Sequence, residues 1–338
     1  MQGKSSTLLI FLLSVLNVSA FVACQPESKP TDKQTNQQAQ QHASTQPQSA
    51  KQNDAPELPW SLPSALPVGA QAEAIQRGEL LISQTPKYLG PDMVDPAKRF
   101  TGSHMACKNC HLNAGKQANA LGFVGITARF PQYRGRENRE IRLAERINGC
   151  FERSLNGRYL PEDSPEMKDI LAYMQWLSQD IPRGAKVKGQ GIPKIDLLDR
   201  AASPEAGKTI YTSKCAMCHQ PNGAGLPVKA GDLTQGYLYP PLWGPDSFNN
   251  GAGMARVITA AQYIKANMPF GNANLTDAEA FDVAAYINSM PRPQKSGLEN
   301  DFPDRSKKPV DAPFAPWPGN FTAEQHKYGP FKPMLKDS

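Results

Sequence analysis

The pentapeptide Cys-x-x-Cys-His occurs twice in the chain, at Cys107–His111 and at Cys215–His219. Two thiols at that spacing reach the two vinyl groups on one edge of a porphyrin. The adjacent histidine turns beneath the ring to ligate iron. This is the attachment pattern of c-type haem. The rival chemistries fit less well. A Cys-x-x-Cys redox pair needs no following histidine, and a zinc site needs further ligands at suitable spacing. The remaining histidines, His42, His104 and His326, do not supply them. The chain is therefore expected to carry two covalent haems, attached through Cys107, Cys110, Cys215 and Cys218, with His111 and His219 on the two irons.

The surroundings of the motifs repeat. RGELLISQT, around Gly78, precedes the first, and AGKTIYTSK, around Gly207, precedes the second. Each unit then closes with an amphipathic helix. One starts at Ser164-Pro165, an N-cap followed by proline at the first helical position; Met167, Ile170, Leu171, Met174 and Leu177 keep helical spacing behind it. The other starts at Thr276 with Glu279 three residues on, a capping box, and continues through Ala280, Val283, Ala284 and Ile287. Pro182 and Pro291 lie just beyond. The expected fold is all-α: two class I cytochrome c-like domains in tandem, at 67–185 and 201–293, with a linker at 186–200. With 26 glycines and 31 prolines, a coiled coil or long helical bundle is excluded. The tail, 294–338, holds seven prolines and is expected to run extended over the surface.

The N-terminus reads as an export signal over residues 1–23. Lys4 is followed by the apolar run Leu8–Leu16, too short to span a bilayer, and by small residues. Ala23-Cys24 resembles a lipobox, so a lipid on Cys24 is expected, with a periplasmic, membrane-anchored product. Residues 24–66 are expected to form a disordered tether, because the stretch from Gln25 to about Glu57 is rich in Gln, Pro, Ser, Thr and Asn without apolar periodicity. The net charge of +6 comes without a dense Lys/Arg tract, which argues against nucleic acid and suits a small anion or an acidic redox partner.

Each iron has a sixth position. For the second haem the best candidate is Met268, which lies 49 residues after His219 and just before the closing helix, where class I cytochromes c place a ligand methionine. Lys265, Met254 and Met290 are rivals. With four cysteines on haem and one for lipid, Cys150 is left over. It lies in REIRLAERINGCFERSLN, residues 139–156, which has helical periodicity and a stop at Asn156-Gly157. Leu143, Ile147, Phe151 and Leu155 form a core-facing stripe. Arg142, Arg146, Cys150 and Ser154 form the adjacent one, so a thiol, a hydroxyl and guanidiniums can share a cavity. Nearby cations favour the thiolate, which ligates metals and attacks electrophiles. An inert buried cysteine beside solvated arginines is the plain alternative.

Over about residues 70–293 the chain resembles the diheme c-type thiosulfate dehydrogenases, which form tetrathionate and in some members reduce it. The resemblance rests on the haem pair, Phe130-Pro-Gln-Tyr-Arg-Gly-Arg136, Arg146-Ile-Asn-Gly-Cys150-Phe-Glu-Arg-Ser154 and Lys265-Ala-Asn-Met268-Pro. It implies His111 and Cys150 as axial ligands of an active first haem, and His219 and Met268 on a second haem through which electrons leave to a small external cytochrome or similar acceptor. Some relatives use a lysine on the second haem; here Asn267 precedes Met268. For the joining of two thiosulfates, Arg136 and Arg146 are the expected sulfonate holders and Ser154 a hydrogen-bond donor, while the resemblance implies a transient sulfur adduct on Cys150. Other functions weighed against this are a diheme electron carrier without its own substrate, a diheme peroxidase, and a haem subunit of a larger sulfur-oxidising complex.

Overall fold

Glycines set how closely the helices of each haem unit cross. The computed structural model describes residues 57–335; the signal segment, Cys24 and most of the tether lie outside the described residues. The first unit runs through β1 (Glu57–Leu58), α1 (Ala70–Ser83), α2 (Thr85–Leu89), β2 (Gln132–Arg134), β3 (Arg139–Ile141), α3 (Leu143–Arg153), α4 (Pro165–Trp176) and β4 (Lys186–Val187). The second runs through α5 (Pro204–Lys214), α6 (Ala216–His219), β5 (Leu226–Lys229), β6 (Asp232–Tyr239), α7 (Val257–Asn267) and α8 (Asp277–Ser289), and α9 (Ala323–Tyr328) follows in the tail.

In the first unit α1 crosses α4 at Gly78, where a Cβ would run into the Asp169 carbonyl and Tyr173. In the second α5 crosses α8 at Gly207, where a Cβ would strike the Asp282 carbonyl and Tyr286. An arginine locks each crossing: Arg77 Nε lies 2.8 Å from Asp169 and Arg200 Nη1 2.8 Å from Asp282. The caps form as the sequence indicates. Ser164 Oγ accepts from the Met167 N–H at 3.2 Å, and Thr276 and Glu279 cap one another; such a cap contributes about 1 kcal/mol. Ile75, Leu89, Phe151, Met167 and Ile170 centre the first core, and Tyr211, Val257, Leu275, Phe281 and Ala284 the second.

The fold is two cytochrome c domains in tandem, mainly helical, with three two-stranded sheets among the described residues that helical periodicity did not announce. β1 pairs parallel with β4, while β2–β3 and β5–β6 are antiparallel hairpins. Structure also begins earlier than the expected end of the tether. Besides the β1–β4 pair, Trp60 covers Gly122, and Trp176 Nε1 donates to the Ala65 carbonyl at 3.1 Å. The tail is not simply extended over the surface: Phe302, His326, Phe331 and Met334 are buried. Apolar residues between its prolines are what dock it. Among the described residues no helix is long and apolar enough to cross a membrane.

Candidate functional site

The buried stripe of α3 fixes how the helix is turned. Leu143, Ile147, Phe151 and Leu155 are all buried, which leaves Arg146 and Cys150 on the neighbouring face, one turn apart. The Arg146 Nη1 donor lies 2.9 Å from Cys150 Sγ. His111 also faces this sulfur: burial pushes the Cys150 thiol up, but the Arg146 charge and the His111 imidazole outweigh it and hold the group down at about 6. Arg142 does not join them. The helix starts at Leu143, and Arg142, exposed at its cap, pairs with Glu145 and Glu162. Ser154 caps the other end of the helix, and its N–H donates to the Cys150 carbonyl at 2.8 Å. Its hydroxyl has no hydrogen-bond partner among the described residues.

The two histidines are held alike. His111 Nδ1 lies 2.6 Å from the Leu121 carbonyl and His219 Nδ1 2.8 Å from the Pro240 carbonyl. A carbonyl only accepts, so each Nδ1 carries the proton and each Nε2 is left to ligate. Four residues after each histidine stands a glycine in the left-handed region, Gly115 at φ 82° and Gly223 at φ 68°. A Cβ there would strike Phe123 in one unit and Trp243 in the other. Cys107, Cys110, Cys215 and Cys218 form no disulfide. Burial raises Cys107 to about 11, Cys110 to about 12 and Cys215 to about 11. Such neutral thiols, next to a histidine with a free Nε2, fit a covalently held haem at each motif.

Met268 is the first residue beyond α7 and lies half-buried against the second core. Its rivals are placed differently. Lys265 Nζ is engaged by the Leu275 carbonyl at 2.5 Å and by Asp277 at 3.6 Å. Met254 packs on the first core, and Met290 on the second. Asn267 is buried and ties α7 to the first unit through the Asn119 carbonyl, 3.0 Å away.

Around α3 the cations crowd. Arg136 Nη1 donates to the Gly251 carbonyl at 3.0 Å and lies 3.4 Å from Asp301, which Arg153 also meets at 2.8 Å. Burial first, then the Arg153 charge, lowers Arg136 to about 10. The loop at Gly251 and the tail at Asp301 thus reach across from the second half of the chain, and neither was visible as part of the site in the sequence. Arg129 and Arg134 were also missed; both lie within electrostatic reach of Arg146. The signal for Arg134 was present in the Phe130–Arg136 stretch, whose strand alternation the helical reading passed over. A cavity of about 220 Å³ adjoins this cluster, lined by Arg136, Glu137, Gly149, Arg153 and Asp301 among others.

Residues 98–183 match the SoxA/TsdA cytochrome c domain family, and residues 204–291 match the cytochrome c family. A thiosulfate dehydrogenase of Allochromatium vinosum is 46 % identical over 251 residues, 72 % of this chain and 88 % of that protein. One from Stutzerimonas stutzeri is 41 % identical, covering 69 % of this chain and 72 % of that protein. Among solved structures, thiosulfate dehydrogenase TsdBA of Marichromatium purpuratum, in its as-isolated form, aligns with a TM-score of 0.64 at 35 % identity. The alignment covers 70 % of this chain and half of that one.

Proposed function

Because the chain belongs to the thiosulfate dehydrogenase family, we propose that it joins two thiosulfates into tetrathionate at Cys150 and passes the two electrons to an external acceptor. The observation that carries this reading is the Cys150 thiol, clasped by Arg146 at 2.9 Å and facing His111 inside a cluster of arginines. An electron carrier has no use for such a pocket. His111 and Cys150 would hold the first haem iron, and His219 and Met268 the second. When bound, the haem pair supplies the one-electron acceptors that take the two electrons and hand them on.

The chain's own residues supply the rest. Two thiosulfate dianions roughly 5 Å apart repel by about 3 kcal/mol in bulk water and about 13 kcal/mol at an effective dielectric of 20. Guanidiniums offset that repulsion and present forked donors to the sulfonate oxygens. Arg136 and Arg146 serve as two of these, and Ser154 adds a hydroxyl donor. Arg146 also keeps the Cys150 sulfur anionic and nucleophilic. That sulfur bonds to the outer sulfur of the first thiosulfate, giving Cys-S-S-SO₃⁻ and releasing two electrons. The outer sulfur of the second thiosulfate then attacks that adduct, frees the Cys150 thiolate and leaves as tetrathionate. No proton is consumed in either step. Run backwards, the same two steps reduce tetrathionate.

In this reading residues 67–185 make the catalytic domain and 201–293 the electron-exit domain, with a small cytochrome or similar redox protein as acceptor. The protein works in the periplasm, tethered by a lipid on Cys24. The test is thiosulfate-dependent reduction of ferricyanide by the purified holoprotein, with tetrathionate quantified. One tetrathionate per two electrons is the expected result; haem-loaded protein inert to both thiosulfate and tetrathionate would refute the reading.

A further inference from the structure

Most of the arginines around α3 are committed. Arg136 and Arg153 meet Asp301, Arg139 and Arg142 meet Glu145, and Arg146 holds Cys150. Arg129 and Arg134 are the exceptions: both are half-buried, and neither guanidinium has a hydrogen-bond or ion-pair partner among the described residues. A half-buried cation whose guanidinium makes no direct hydrogen bond or ion pair is costly unless something else supplies one.

The hairpin shows how this came about. Arg134 ends β2, opposite Arg139 on β3. Alternation along the strand puts Gln132 and Arg134 on one face and Tyr133, 46 % exposed, on the other. Gln132 Oε1 on that inner face is buried and has no partner, so its amide is free to turn an N–H toward an incoming oxygen. Arg134 lies within reach of Arg146, Arg129, Glu137 and Cys150: burial, Arg146 and Arg129 depress its guanidinium, while Glu137 and Cys150 support it. Arg129 is depressed by burial and by the Arg146 charge. Arg134 therefore lies within electrostatic reach of the reacting sulfur, and Arg129 within reach of Arg134.

We propose that Arg134, backed by Arg129 and by the Gln132 amide, forms the subsite for the second sulfonate-bearing anion, the one that meets the sulfur carried on Cys150. The inference rests on the thiosulfate reading above. It assigns the two anions to separate cations: Arg146, which already holds the Cys150 sulfur, serves the first together with Arg136, and Arg134 serves the second. A guanidinium fork suits a sulfonate, whose oxygens accept two parallel N–H bonds. The carboxylates of a bound haem offer the same oxyanion chemistry, so the test must separate the two sources.

The experiment compares wild type, Arg134→Gln, Arg134→Lys and Arg129→Gln as haem-loaded proteins. Thiosulfate saturation is followed with ferricyanide, and both haem midpoint potentials are measured by redox titration. Arg134→Gln is expected to raise half-saturating thiosulfate at least roughly tenfold with kcat falling less than about threefold, since a charge-assisted bond to a bound substrate is lost. Arg134→Lys should recover part of that loss, and Arg129→Gln should cost about threefold, with both potentials unchanged. Unchanged saturation in Arg134→Gln overturns the proposal. So does a displaced potential or poor incorporation of the first haem without a change in saturation, which would assign these arginines to the haem carboxylates. If wild type forms no tetrathionate, the thiosulfate reading fails by itself. Perturbation of the Soret band by added thiosulfate, compared between wild type and Arg134→Gln, then still reports whether Arg134 binds the anion.

Discussion

The two haem units share a scaffold and differ in the helix that carries or leads into the candidate sixth ligand. Gly78 and Gly207, Arg77–Asp169 and Arg200–Asp282, and the carbonyls that fix His111 and His219 correspond one to one. Where the candidate sixth ligands lie, however, the first unit has α3, LAERINGCFER, and the second has α7, VITAAQYIKAN. The first gathers a thiol and arginines; the second is largely apolar and leads into Met268. On the proposed function, chemistry and conduction divide between these two helices, while the carbonyls that fix the haem histidines are held constant. On the same proposal Met268 would give the second haem the higher potential and Cys150 the first haem the lower one.

The sharpest way to break this contrast is at the sixth positions. Cys150→Gly is expected to cut turnover by at least roughly 10³-fold while both haems stay attached, because the nucleophile is gone and His111 with its cysteine pair remains; pyridine haemochrome counting alongside tetrathionate assays checks it. Arg146→Met should cost about 10² to 10³ in kcat/KM, the usual loss for a preorganised charge at a reacting atom. Met268→Ala should leave half-saturating thiosulfate unchanged but lower the potential of the second haem by on the order of 0.1 V, read by redox titration. Loss of thiosulfate affinity in that variant would mean the two units are not divided in this way.

Much of the scaffold was legible because it is local. Ser164, Thr276 and Glu279 declare their helices within four residues, and the Leu143–Leu155 stripe turns α3 correctly. The site is legible only in part. Cys150 and Arg146 are one turn apart and read together, whereas Arg136 meets Gly251 and Asp301 across more than a hundred residues, a pairing that leaves no spacing signature. The tail misleads for a different reason: prolines dominate its composition, and the burial of Phe302, Phe331 and Met334 depends on partners elsewhere in the chain. The tether misleads similarly at its end, where Leu58 and Trp60 interrupt a polar run.

The likeness of the units is testable at the helix crossings. Gly78→Ala and Gly207→Ala each place a methyl group against a carbonyl and a tyrosine Cβ of the facing helix. Backbone cannot yield there as a flexible side chain would, so each is expected to destabilise by about 1–3 kcal/mol or more. Thermal unfolding of the two holoproteins should show comparable losses. A tolerated Gly207→Ala beside a damaging Gly78→Ala would show that the second crossing is looser than the first.

The smallest effect is expected where the likeness ends, three residues before each first cysteine. In the second unit Thr212 only bonds back to Lys208 at 2.9 Å. In the first, His104 joins the two units. Its Nδ1 lies 3.0 Å from Asp246, which also accepts from the Tyr237 hydroxyl at 2.6 Å, and its Nε2 lies 2.8 Å from Asp92. Both ring nitrogens face carboxylates, so only the imidazolium satisfies both. The bond to Asp246 raises the His104 pKa above its ordinary value, against burial and with help from Asp92. A histidine raised on folding stabilises fully below its unfolded pKa of about 6.5, and that contribution is lost as pH rises through the higher folded value. Wild type should therefore lose on the order of 1 kcal/mol or less between pH 6 and 9 that His104→Asn does not lose, since Asp92 is largely solvated. Melting curves at the two pH values, taken on both proteins, measure the difference. Parallel pH slopes would mean that the carboxylates hold the units together whether or not the ring is charged.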